Sequence, residues 1–296
     1  MYRIFFLFML TSFTAKAQIQ FWTKEDMLDK QFEQARKEMK IKTAFNYVTS
    51  ENWRVSDSSQ YNEIFEYDEA GRKTGYKIYK NDWAARKRYF QYIDSFFYND
   101  KGIFTGMKRY NPKSGGNEYA LEYAAKSVFN TKGQVERMNF YRGYYATELD
   151  SYDVYAYDGK NRVIKVSSFS KDGKKDYEWK IDYDAGGRII KVRAGVPGEN
   201  FTDYLVKYNS KGLMSSYAEL YQGKEKNGET TYTYDDKNRL LRKDYKTDHS
   251  YKDTTMYWYI GDEKFYHRTY LKFPRLSGSD TDFSHEFRPY KFEFYQ

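Results

Sequence analysis

Tyr183-Asp184-Ala185-Gly186-Gly187-Arg188 holds one of seven copies of a tight-turn motif, Tyr-Asp/Asn-x-x-Gly/Asn, and the reading of this 296-residue chain rests on it. The other copies are Tyr67-Asp68-Glu69-Ala70-Gly71, Tyr98-Asn99-Asp100-Lys101-Gly102, Phe129-Asn130-Thr131-Lys132-Gly133, Tyr157-Asp158-Gly159-Lys160-Asn161, Tyr208-Asn209-Ser210-Lys211-Gly212 and Tyr234-Asp235-Asp236-Lys237-Asn238. Their aromatic anchors lie 31, 31, 28, 26, 25 and 26 residues apart, so the chain is an array of internal repeats.

Asp or Asn opens each turn because its side chain accepts a hydrogen bond from the backbone two residues on. Gly three residues later suits a type I turn whose exit needs φ > 0. The two copies without it carry Asn161 and Asn238, and Asn best tolerates the left-handed region. The residue after the turn is Arg72, Arg162, Arg188 or Arg239 in four copies, and Ile103, Gln134 or Leu213 in the rest. On this reading, Val in place of Gly71 or Gly187 destabilises more than Val in place of Gly223, which lies in a variable connection.

The residues entering each turn alternate. Phe65/Tyr67, Phe96/Tyr98, Ser127/Phe129, Tyr155/Tyr157, Ile181/Tyr183, Val206/Tyr208 and Tyr232/Tyr234 share one side of a strand, with a mixed set between them. Period two with one apolar face is a half-buried antiparallel strand. The expected fold is all-β: a long antiparallel meander of seven to eight hairpin repeats, twisted or curled, with one N-terminal capping helix. Laid open, roughly sixteen strands at about 4.8 Å spacing run on the order of 75 Å.

Hydrophobic residues are 40% and mean hydropathy is −0.97, so the 34 Tyr and 22 Phe must supply the packing. Tyr fits a sheet with one wet face. Residues 1–17 read as a secretory signal: Arg3, the apolar run Ile4 to Leu10, then Ala15-Lys16-Ala17 as a cleavage site. A buried N-terminal strand is the alternative. The chain after the signal, from Gln18, has no cysteine, hence neither a disulfide framework nor a Cys for a lipid anchor. Its net charge falls from +8 to +6 when Arg3 and Lys16 leave, and spread over many strands this serves solubility and edge protection.

The division of the chain is a signal at 1–17, a helix and lead-in at 18–44, and one repeat domain at 45–296. Thr23 to Lys40 reads as the helix, with Thr23 and Asp26 as a capping box and Leu28, Phe32, Ala35 and Met39 as its apolar stripe. It either caps the sheet or lies on a membrane surface. Residues 245–296 lack the turn chemistry and read as a degenerate repeat and cap.

The fullest copies, Tyr67 to Arg72 and Tyr183 to Arg188, resemble the bacterial YD/RHS repeat family over about residues 60–245. The resemblance implies a secreted or surface protein whose repeats form a β shell, sometimes around a toxin domain. These repeats are longer than the usual family unit and the chain is too short to enclose a cargo, so toxin delivery and catalytic residues are not carried over.

No phosphate loop, serine nucleophile elbow or His-Glu-x-x-His segment is present. His249, His267 and His285 are 18 residues apart, farther than ligands on one element usually sit, although separate strands could bring them together. The turn Asp residues resemble calcium ligands, but backbone geometry already explains them. Of Trp22, Trp53, Trp83, Trp179 and Trp258, Trp83 lies in a variable connection beside Arg86, Lys87 and Arg88. It either stacks a flat ligand such as a sugar or covers the sheet end. Aromatics among basic residues also suit single-stranded nucleic acid, a partner that the signal disfavours. An outer-membrane barrel is disfavoured too, because Arg162 to Val166 and Arg188 to Arg193 put charge on both strand faces.

The structural turn residues are thus Asp68, Gly71, Asn99, Gly102, Asn130, Gly133, Asp158, Asn161, Asp184, Gly187, Asn209, Gly212, Asp235 and Asn238, with Trp83 as the ligand contact. The expected function is a non-catalytic secreted, periplasmic or cell-surface module that binds or scaffolds protein or carbohydrate, using no cofactor or metal. The alternative is a shell-like accessory of an RHS-type toxin system.

Overall fold

A computed structural model describes residues 33–34, 36–38, 40–47, 61–82, 87–113, 118–236, 238–247, 252–259, 267–274 and 283–294. The signal segment, Trp83 and most of the expected helix lie outside the described residues.

Eighteen antiparallel strands form one sheet among the described residues. They run β1 (Ile41–Tyr47), β2 (Tyr61–Tyr67), β3 (Lys73–Asp82), β4 (Lys87–Tyr98), β5 (Phe104–Pro112) and β6 (Tyr119–Phe129). Then come β7 (Val135–Arg142), β8 (Glu148–Tyr157), β9 (Val163–Ser170), β10 (Lys175–Tyr183), β11 (Ile189–Gly195) and β12 (Phe201–Tyr208). The last six are β13 (Met214–Tyr221), β14 (Glu225–Tyr234), β15 (Leu240–Thr247), β16 (Lys252–Tyr259), β17 (His267–Pro274) and β18 (Phe283–Phe294).

Each strand pairs with the next in sequence, and β1 pairs on both sides: Ala44 stands opposite Phe65 of β2 and Phe292 of β18. The meander therefore closes on itself. The extended layout of about 75 Å, taken from strand spacing alone, is not adopted. Two physical reasons meet here. An open sheet of this size exposes two rows of unpaired N–H and C=O groups, which closure removes. The sheet is also curled by a device placed once per repeat. In all seven motif hairpins the register shifts between the anchor and the residue before it: Glu66/Tyr67, Phe97/Tyr98, Val128/Phe129, Ala156/Tyr157, Asp182/Tyr183, Lys207/Tyr208 and Thr233/Tyr234. Each shift is a bulge that sharpens the local twist. β16, β17 and β18 come from the segment without turn chemistry and complete the ring by pairing with β15, with one another and with β1.

The two faces differ. Met138, Tyr155, Val166, Ile181, Val192, Val206 and Tyr232, on the face of the anchors, are 0–6% exposed. Lys165, Lys180, Lys207 and Arg242, on the other, are exposed. No other described element covers the buried set: a single 3-10 turn, Tyr144–Ala146, lies against β6. These side chains bury one another, which requires that they converge. The anchor face is the concave, inner one.

Of the expected helix, Glu33, Gln34, Arg36, Lys37 and Glu38 are helical. They lie against the first turn: a Cβ added to Gly71 would come 2.3 Å from the Glu33 carbonyl oxygen.

Candidate binding surface

An up-and-down ring puts all seven motif turns at one end of the barrel. Within a turn the Asp serves two purposes. Asp68 Oδ1 accepts from the backbone N–H groups of Ala70 (3.0 Å) and Arg72 (2.9 Å), and Oδ2 accepts from Arg72 Nε at 2.7 Å. Asp158, Asp184 and Asp235 hold Arg162, Arg188 and Arg239 in the same way. Burial alone would raise Asp158 and Asp184, but hydrogen bonds from Arg162 and Arg188 outweigh it and hold both below the usual carboxylate range. The Asn turns keep only the backbone half: Asn99 Oδ1 accepts from the N–H groups of Lys101 and Ile103, and Asn209 Oδ1 from those of Lys211 and Leu213. Asn130 accepts likewise from the N–H groups of Lys132 and Gln134. Asp thus occurs where Arg follows, and Asn where it does not. That pairing is visible among the seven copies in the sequence. The fifth motif residue, whether Gly71, Gly102, Gly133, Gly187, Gly212, Asn161 or Asn238, has φ between 61° and 83°.

The turns are also joined to one another. Arg72, Arg162 and Arg188 each lie over the ring of the next anchor, Tyr98, Tyr183 and Tyr208, at 4.5–4.8 Å. Anchor hydroxyls donate to the backbone of the preceding repeat: Tyr157 to Val135 O, Tyr183 to Val163 O, Tyr208 to Ile189 O and Tyr234 to Met214 O, at 2.7–2.8 Å. Burial pushes the Tyr183 and Tyr208 hydroxyls up to about 12. These groups are occupied in holding the scaffold.

Chemistry open to a ligand lies deeper on the inner wall, at positions the alternation left for apolar residues. Cross-strand register places Phe65, Tyr76, Asp94, Arg109 and Tyr123 in one row over β2 to β6. Asp94 is 3% exposed and accepts from Arg109 Nε and Nη2, both at 2.7 Å. The Arg109 guanidinium stands 4.2 Å over the Tyr92 ring, and its side chain remains 38% exposed. Hydrogen bonding to Asp94 raises Arg109 further above its ordinary range, so it is a fixed cation. Beside it, Tyr76 donates to Glu63 at 2.6 Å, and burial pushes Tyr123 up to about 12.

Further round, from β8 to β13, the wall carries Asp153, Ser168, Tyr177, Trp179, Ala194, Tyr204 and Glu219. The rings of Tyr177 and Trp179 lie 4.6 Å apart, and those of Tyr204 and Tyr217 5.6 Å apart. Burial raises Asp153, which accepts from the Ser168 hydroxyl. The expected ligand contact, Trp83, lies outside the described residues. Asp94, Arg109 and Asp153 escaped the sequence reading, although charge at a core-facing position of a repeat was the available signal. Among the described residues no group of three or more His, Asp or Glu is placed to hold a metal ion.

No protein-family model matches the chain, and no curated protein matches it. Among solved structures, it is similar to a porin-like protein from Bacteroides uniformis at 13% identity and a TM-score of 0.43, covering 86% of this chain and 98% of that one. It is also similar to a TcdB2-TccC3 structure at 11% identity and a TM-score of 0.35, over 72% of this chain and 12% of that one. A third is a Photorhabdus luminescens Tc holotoxin pore, at 13% identity and a TM-score of 0.29, over 73% of this chain and 16% of that one.

Proposed function

We propose that the chain is a non-catalytic, secreted or cell-surface barrel that binds protein or glycan through its inner wall, built on repeats of the YD/RHS kind. The observation that carries this reading is the row Tyr76–Asp94–Arg109–Tyr123. A buried carboxylate fixes a part-exposed guanidinium over a tyrosine face in a wall otherwise aromatic. Such a constellation is preorganised for recognition, since its ordering is complete before a ligand arrives. Its carboxylates are committed: Asp94 to Arg109, and Glu63 to the Tyr76 hydroxyl.

Closure of the ring favours a second reading, a barrel embedded in an outer membrane. The outer face argues against it. Lys165, Lys180 and Arg193 stand opposite one another across β9, β10 and β11 on the convex side. In lipid, each such charge at the midplane would cost about 2–4 kcal/mol.

The test is a pull-down and glycan-array screen of the chain from Gln18 to Gln296, run beside a hydrolase panel. Capture of a partner that Arg109→Ala weakens, with no turnover, is the expected result. Turnover abolished by substitution of one carboxylate would overturn the non-catalytic reading. A chain that is soluble only in detergent would overturn the preference for a water-facing barrel.

A further inference from the structure

We infer that the inner wall between β8 and β13 is a subsite for a neutral oligosaccharide, with Trp179, Tyr177 and Tyr204 as its stacking platform. The inference deepens the binding reading above and rests on it.

Three observations converge on that ligand class. The first is shape. Ala194 of β11 is 2% exposed and stands opposite Trp179 on one side and Thr202 on the other. Ser168 of β9 stands opposite Tyr177. The small residues Ser168, Ala194 and Thr202 form a floor, and the part-exposed rings of Tyr177, Trp179 and Tyr204 rise beside it. A pyranose ring presents a flat face of C–H groups that packs on such rings, which bury much area at low conformational cost.

The second observation is charge. Every Lys and Arg of β9 to β12 whose side of the sheet the register fixes (Lys165, Lys180, Lys191, Arg193 and Lys207) falls on the outer face. Along this part of the inner wall the described residues present no cation, in a chain with 50 Lys and Arg. An acidic sugar or a phosphate would meet no counter-charge.

The third is hydrogen bonding. Asp153 with Ser168 at one margin, and Glu219 opposite Tyr204 at the other, supply acceptors and a hydroxyl for sugar hydroxyl groups. Burial raises Asp153 above its ordinary value, against the hydrogen bond it accepts from Ser168. The subsite also sits four to six residues before the anchors Tyr183 and Tyr208, away from the motif turns and toward the variable connections. It is therefore reached from the end whose loops differ from repeat to repeat.

The test is titration of the chain from Gln18 with neutral hexasaccharide fragments of β-glucan, mannan and xylan, and with their uronic-acid counterparts, read by calorimetry. Saturable binding of at least one neutral fragment is expected, with the uronic-acid forms weaker. Trp179→Ala and Tyr177→Ala should each weaken binding by about tenfold or more, as truncation of a buried aromatic contact does. Trp179→Phe should recover part of the loss, and near-ultraviolet circular dichroism should show that the variants keep the fold. Neutral-fragment binding untouched by both Ala variants would overturn the subsite and leave the binding module standing. Capture of a protein partner without any saccharide binding would do the same. Preference for the uronic-acid forms would overturn the charge argument.

Discussion

At the scale of single residues, the motif separates two functions of one side chain. Asn at the head of a turn satisfies the backbone, while Asp satisfies the backbone and also holds an arginine. Asp158→Asn with Asp184→Asn therefore removes only the second function, since Asn99, Asn130 and Asn209 already serve the first. The sign with pH follows from the depressed carboxylates. Their stabilisation is complete above the unfolded value near ~3.9 and is lost as pH falls through the lower folded values. At pH 7 the double variant should be less stable by about 1 kcal/mol per site or less, given part exposure. That gap should close in acid below about pH 4; urea titrations at pH 7 and pH 2.5 check it, and an unchanged gap would contradict the pairing. Gly223, which the sequence marks as the tolerant position, has φ 71°, as strained for Val as Gly187 at 83°. Its connection is itself a tight turn, which polar composition did not reveal. Gly159 has open space around it and no positive φ, and is the proper control. Gly187→Val should lower stability by about 1–3 kcal/mol, and Gly159→Val by much less. Equal shifts in thermal midpoint would contradict the turn geometry.

Among elements, the helix and the first repeat show what spacing alone conceals. Arg72, Arg162 and Arg188 each serve the following anchor, and the first anchor, Tyr67, has no repeat before it to supply one. Arg36 of the helix takes that place, 4.6 Å over the Tyr67 ring, with its Nε donating to Gly71 O at 2.9 Å. No sequence pattern marks it, since Arg36 lies outside any copy of the motif and its partner is 35 residues away. Arg36 is 9% exposed, whereas the Arg188 side chain is 46% exposed. Arg36→Ala should therefore lower stability by about 1.5–3 kcal/mol, the range for a hydrogen bond to a charged group. Arg188→Ala should lower it by less. The reverse order in denaturant midpoints would show that the helix is a loose appendage. Strand existence and type were legible because alternation and turn chemistry recur seven times. The inner-wall site was not, because an acid replaces the apolar residue four positions before the anchor in only three copies, at Glu63, Asp94 and Asp153.

For the whole molecule, the repeats and their tyrosines announce a curled antiparallel meander, but closure depends on β1, β16, β17 and β18, none of which carries the motif. What closes the ring is the β1–β18 pairing at long sequence separation, a matter of accumulated twist that no local pattern encodes. Closure shields the inner wall and gives its aromatic strip a defined mouth. Register places Ala44 of β1 opposite Phe292 of β18. The chain has no cysteine of its own, so one pair can be introduced without competition. Directly opposite residues of antiparallel strands lie about 4.5–5.5 Å apart at Cα, within reach of a disulfide. In an Ala44→Cys, Phe292→Cys variant, mild oxidation should produce a monomeric, cross-linked chain that migrates faster on a denaturing gel and regains its mobility on reduction. Free thiols, or disulfides only between molecules, in a variant whose circular dichroism remains native would contradict the closed barrel.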